Sequence, residues 1–519
     1  MKTQHSPQTR REFMSDVGRG MVTAAVGLGM ARELGLASAF AEEAAERLDF
    51  GALEPLVRTM QETPVAKLLP VLAEKLRAGT ELRQLVAAGA LANARTFGGE
   101  DYVGFHTIMA IAPSYHMALE MPAAQQALPV FKVLYRNTNR IQESGGAKHE
   151  VLRPVKADAG DTNLAPGLRL RAAVRGKDVA RAEAIFAAVA VTPEDAFDAL
   201  LHEVHDETEV HRTVLPYRAW DLMGLIGREH ATTLLRQSVR YCVKSEANRS
   251  GGRSRELLAK LLEEHKLLAA APGTRAAEDK WVEELSAVIF KSTPEQAATA
   301  AAAALAEGMM PDAVGEAISL AANQIILRDH GRTPEMEVPG KPLGSVHGDS
   351  IGLHACDSAN AWRHMARVAR PRNTFACLIL GAYQVALDRG ERGGDFLHWE
   401  PLPYARHVEG IRTTDPDGLL RELDEAIRGN LQVRASAVAL AYGKQGHEPR
   451  AIFDLLRRYA ISEDGALHAE KFYRTVSEEF ADARPAFRWR HLCALARVTA
   501  SEYGRPAPGV AEARELLKA

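Results

Sequence analysis

Cysteine is scarce in this chain: four thiols in 519 residues, Cys242, Cys356, Cys377 and Cys493, with no CxxC or CxxCH spacing. That argues against a disulfide framework, a c-type haem and a cysteine-rich zinc site. Charge of one sign is also lacking. The net charge of −3 and pI near 6.7 leave no electrostatic footprint for nucleic acid or an anionic membrane. Alternating β-branched runs bounded by turns are nearly absent, so no substantial sheet is expected. Beyond the N-terminus no stretch is apolar for long enough to span a bilayer. There is no glycine-rich phosphate loop after a strand, no G-x-S-x-G elbow and no EF-hand loop.

What is present begins with an address. QTRREFM, with Arg10, Arg11 and Phe13, precedes a Gly/Ala-rich, weakly apolar stretch ending at Ala39-Phe40-Ala41. The pattern is that of a twin-arginine export signal over 1–41, cleaved after Ala41. Arg32 and Glu33, late in the apolar stretch, argue against a stable membrane anchor. The expectation is a soluble periplasmic or otherwise exported protein whose partners include the twin-arginine machinery. Proteins resembling this class are exported folded, often after acquiring a cofactor.

The remainder, 50–519, reads as helix almost throughout. Windows such as 82–97 and 375–387 carry apolar residues at i, i+3, i+4 and i+7. Four proline-led starts recur, Thr63-Pro64, Thr192-Pro193, Thr293-Pro294 and Asp415-Pro416. Thr or Asp as N-cap with proline in the first turn suits a helix start, because the missing N–H has no partner there anyway. Pro70 and Pro113 fall inside helical patterns and should kink them. After these starts a histidine recurs near the head of a helix-like segment, at His106, His230, His354 and His468, spaced 124, 124 and 114 residues apart. The expected fold is all-α: four helical repeat units (50–142, 170–270, 278–390 and 411–510) forming a toroid or superhelical assembly.

Histidine near a helix N-terminus tends to stay neutral, the form that binds metals and accepts protons. The repeated histidines are therefore candidate ligands, although a repeat can equally conserve a cap or a packing position. A second candidate set lies in HEVHDETEVH, 202–211. His202, His205 and Glu209, at i, i+3 and i+7, would share one face of a continuous helix and suit a 2-His-1-carboxylate site. The same stretch could be a solvated acidic helix end, and it is not the HExxH of zinc proteases. Ten residues after the repeated histidines come His116, Arg240, His364 and Glu478, polar but not uniform. Long interruptions at 143–169, 331–350 and 388–418 suggest binding loops or lids. The last two carry His347, Asp349, His398, Trp399, Tyr404 and His407.

GFHTIMAIAPSYHMALE and SVHGDSIGLHACDSANAWRHMAR, followed by FACLILGAYQVAL, resemble the histidine-containing helix starts of the questin oxidase-like family. The resemblance covers units one and three. It implies an all-helical fold with a histidine-lined pocket, and an oxidoreductase or oxygenase acting on a small organic substrate. The expected cofactor is a transition metal, iron or copper rather than zinc, with His106, His202, His205, His230, His354 and His468 as candidate ligands. The alternative is a non-catalytic helical repeat protein that binds a protein or ligand partner on its concave face. A glycan-processing α/α-toroid has less support, because no paired carboxylates stand out.

Overall fold

In a computed structural model, the residues described are 47–247, 253–337, 343–346, 350–391 and 394–518. Residues 1–41, where an export signal is expected, and the loop residues His347 and Asp349 lie outside them. Among the described residues there are 23 α-helices and no strand. The only β-type pairings there are two isolated bridges, Arg275 with Met309 and Glu463 with Pro506. The protein is all-α, as the helical periodicity predicts, and Asp49–Ala519 forms one compact unit. No helix among the described residues is long and apolar enough to cross a membrane.

Three of the four proline-led starts are built as the sequence predicts. Thr192, Thr293 and Asp415 are N-caps whose side chains accept hydrogen bonds from the backbone N–H of Asp195, Gln296 and Gly418. The first differs. Thr63 closes the preceding helix, Glu54–Glu62, so Pro64 itself caps Val65–Arg77. Pro70 and Pro113 both lie within continuous helices.

The centre of the fold is a ring of four helices. The His106 helix (Tyr102–Leu119) packs against the His211 helix (Val210–Ile226) and the His468 helix (His468–Asp482). The His354 helix (Ile351–Val368) packs against the same two neighbours and closes the ring. Each member is backed from outside. Leu82–Phe97 and Ala127–Glu143 pack on the first, Ala231–Ala247 on the second, Pro311–Arg328 and Pro371–Glu391 on the third, and Arg488–Glu502 on the fourth. The hydrophobic core fills the layer between ring and shell. Trp362, fully buried, donates from Nε1 to Gln384 Oε1 at 2.8 Å, and Gln384 in turn donates to Ser358.

The start of the His354 helix crosses its backing helix very closely. A Cβ placed on Gly352 would stand 2.5 Å from Ile326 Cα and 2.6 Å from its backbone nitrogen. Backbone cannot rotate away as a side-chain tip can. Replacing Gly352 by Ala should therefore push the two helices apart and destabilise the protein by about 1–3 kcal/mol, the usual cost of overpacking. A urea unfolding midpoint equal to that of the wild type would show that the crossing tolerates the methyl group.

Candidate functional site

The inner ring brings four imidazoles together. His106 is the fifth residue of its helix, His211 the second, His354 the fourth and His468 the first. Their ring centroids run 4.8 Å from His106 to His211, 6.4 Å from His211 to His354, 5.6 Å from His354 to His468 and 5.4 Å back to His106. All four helices thus start at the same end of the ring. Asp101, Glu209 and Ser350 cap three of those starts by accepting from backbone N–H groups two or three residues on. The fourth is entered through Ala466 and Leu467, both left-handed, with φ of +50° and +69°. Non-glycine residues avoid that region, so the surrounding packing must hold the His468 helix start in place.

The hydrogen-bond partners assign the tautomers of the closest pair. His106 Nδ1 lies 2.7 Å from the Tyr102 carbonyl oxygen, which can only accept, so Nδ1 carries the proton. His211 Nδ1 lies 2.6 Å from Glu209 Oε1. Burial raises the Glu209 carboxyl, but the hydrogen bonds and charge of His211, with the Tyr241 hydroxyl, outweigh it and hold Glu209 below the ordinary range. Glu209 is therefore a carboxylate, and His211 also donates from Nδ1. Tyr241 Oη donates to the other oxygen of Glu209 at 2.8 Å. In their neutral forms both histidines then present a bare Nε2, and these two nitrogens face each other at 3.3 Å. Two lone pairs so placed repel unless a cation sits between them. Two imidazole nitrogens on one tetrahedral ion, each at about 2.0–2.1 Å, stand about 3.3 Å apart.

A shared proton is the competing occupant. Burial, then the charge of Lys471, then that of His211 hold His106 well below the usual imidazole range, so a proton in the pair would sit on His211 and be donated to His106 Nε2. With both imidazoles neutral, the pair has the spacing of two ligands on one metal ion. Among the described residues, no group of three or more His, Cys, Asp or Glu side chains is placed as it stands to hold one.

The other candidate ligands lie elsewhere. His230 sits in a short 3-10 turn, Arg228–His230, before an outer helix, with Glu229 3.7 Å away. His211 takes the place in the ring that the even spacing assigned to His230. The face expected from His202, His205 and Glu209 does not exist, because the helix ends at Val204. His205 becomes its C-cap, and Glu209 becomes the N-cap of the His211 helix. His205 is fully buried, its Nε2 3.3 Å from Cys377 Sγ and its Nδ1 facing the Arg372 guanidinium at 3.1 Å. Burial, then the Arg372 charge, drive His202 down to about 3, and its ring packs tightly over Gly167. Of the loop residues, His398 is exposed beside Asp395, Trp399 stacks on His330, and His407 lines a separate surface cleft with Arg406 and Arg434.

With His211 in register, the position ten residues on reads His116, Asp221, His364 and Glu478. These meet at the opposite end of the ring. His116 Nε2 lies 2.8 Å from Asp221 Oδ1, Tyr217 Oη donates to Glu478 at 2.6 Å, and Tyr217 stacks on His364. A cleft of about 590 Å³ opens there, lined by Glu120, Trp220, Arg474 and Asp482 among others. The four central helices therefore run parallel. No family model, no curated protein and no solved structure matches the chain.

The His106 assignment carries a signed pH dependence. A histidine whose folded pKa is depressed binds fewer protons folded than unfolded once pH falls below about 6.5, so it costs stability there. His106→Gln removes that loss. On metal-free protein its stability deficit against the wild type should shrink by about 1 kcal/mol as pH falls from 6.5 to 5.5. A deficit that grows over this interval would mean the pair holds a proton in the folded state.

Proposed function

We propose that this protein is an exported, metal-dependent oxidoreductase of the oxygenase type, acting on a small organic substrate at the histidine ring. The observation that carries the reading is the His106–His211 pair, two outward-anchored imidazoles with bare nitrogens 3.3 Å apart. His354 and His468, whose rings adjoin the pair, are the further donors within reach of a ring rotation. The resemblance of the His106 and His354 segments to the questin oxidase-like family supports the reaction class. The twin-arginine signal supports export of a protein already folded around a cofactor.

An iron or copper ion bound there would supply one-electron redox chemistry. The protein's own part is positioning. The Tyr102 carbonyl and the Glu209 carboxylate fix the two ring orientations and make Nε2 a better donor, a recurrent arrangement around metal-bound histidine. Phe105, packed on both His106 and His211, covers the pair with an apolar face that keeps water away.

The test is metal uptake. Protein exported through the twin-arginine route should carry about one transition-metal ion per chain, measured by elemental analysis. His106→Ala and His211→Ala should lose it with helical content unchanged, while His230→Ala and His205→Ala should keep it. Full metal content in both His106→Ala and His211→Ala would place any metal elsewhere. A metal-free wild type after reconstitution with Fe²⁺ and Cu²⁺ would remove the oxidoreductase reading.

A further inference from the structure

One turn beyond His468, inside the same ring of helices, stands Lys471, 3 % exposed. Its charge is the one that acts most strongly on His106. A buried ammonium has three hydrogen bonds to give, and leaving them unmade costs several kcal/mol. The other buried lysine, Lys132, is engaged: it donates to the carbonyls of Ala460 and Glu463 and pairs with Glu470 Oε1, each at 2.7 Å. Lys471 makes no hydrogen bond or ion pair with any of the described residues. The nearest acid in the ring, Asp357, accepts instead from Thr475 Oγ1 at 2.7 Å. Burial lowers the Lys471 amine, partly offset by Asp357 and Glu470, to about 8, so it remains charged at neutral pH.

The surroundings add positive potential. Four helix N-termini end at the histidine ring, and each presents the positive end of its dipole. Imidazole supplies no negative charge, and the Glu209 and Asp101 carboxylates at these helix starts are committed to His211 and Tyr241 and to Arg140. Such a site is short of an anion. Helix N-termini and a buried ammonium are both groups that proteins use to hold one.

We infer that the ligand taken up at the histidine ring is an oxyanion, a small molecule whose ionised carboxylate or phosphoryl oxygens are received by Lys471. This deepens the function proposed above by naming the substrate's charge class, and it rests on the ring being the ligand site. Within it, Lys471 Nζ donates to the ligand oxygen and the helix N-termini supply the remaining field. A neutral ligand of the same shape would leave the ammonium unmet.

Calorimetric titration of the full chain tests this, on metal-free protein and on protein loaded with Co²⁺, using formate, phosphate and neutral formamide as probes. The wild type should bind formate or phosphate at least about tenfold more tightly than Lys471→Met does, the usual worth of a charge-assisted hydrogen bond. Lys471→Arg should retain most of the affinity, and formamide should bind neither variant better than the other. Preference for formate assigns a carboxylate substrate, and preference for phosphate a phosphorylated one. Equal anion affinity in wild type and Lys471→Met, with helical content matched, would overturn the inference, as would formamide binding as tightly as formate. If Co²⁺ fails to load, the metal reading fails, and the metal-free titrations still decide the anion.

Discussion

Four helix N-termini converging on one buried point is the constraint from which the rest of this structure follows. Like dipole ends placed together repel, and parallel packing gives no cancellation along the shaft. The ring is held against that cost by side chains chosen for each end. At the N-terminal end Glu209 brings a negative charge, and burial keeps His106 a neutral imidazole rather than a cation. At the C-terminal end the cationic groups Arg367 and Arg474 lie beside the last turns, ion-paired to Asp312, Asp482 and Glu478.

Between the two ends the axis is polar rather than oily. Asp357, Thr475, Arg218 and Glu478 form a continuous buried series, joined by contacts of 2.7, 3.3 and 3.3 Å, and Tyr217 ends it at the cleft. Arg218 cannot release its proton, so the series serves as a fixed electrostatic spine and not as a proton wire. The buried Arg218 guanidinium ties the His211 helix to the His468 helix, and Thr475 extends the link to Asp357 on the His354 helix. Lys471, on the His468 side of the spine, is a buried cation without a fixed partner among the described residues.

How much of this could be read from the sequence depends on the range of the interaction. Helix starts are local, and the caps at Thr192, Thr293 and Asp415 follow from three or four adjacent residues. Thr63 misled because the residues before it already formed a helix that needed its own end. Three of the four ring histidines stand out because each opens a helix. Even spacing points to His230 rather than His211, yet even spacing has no physical force when the loops between units vary in length. The better signal was a second period. Counting ten residues on from His211 gives Asp221, opposite His116 and in series with His364 and Glu478, whereas counting from His230 gives Arg240 in the outer shell. The break after Val204 was legible only in part. HDETE has the composition of a helix end, but that Glu209 caps the next helix and orients His211 depends on tertiary placement.

Ala466 and Leu467 also bear on how the protein comes into being. The site draws on His106, His211, His354 and His468, so its closest sequence neighbours are 105 residues apart and its extremes 362. Contacts of such separation form late, since loop closure must be met before they stabilise anything. The last histidine enters through two backbone conformations that an unfolded chain seldom visits. A nascent chain released from the ribosome before its final helices are made would hold three imidazoles and no closed ring. Completion of the C-terminal helices is thus a checkpoint: until His468 is locked in, the ring is not closed, and anything held within it must be acquired after the last residue of that helix has been synthesised.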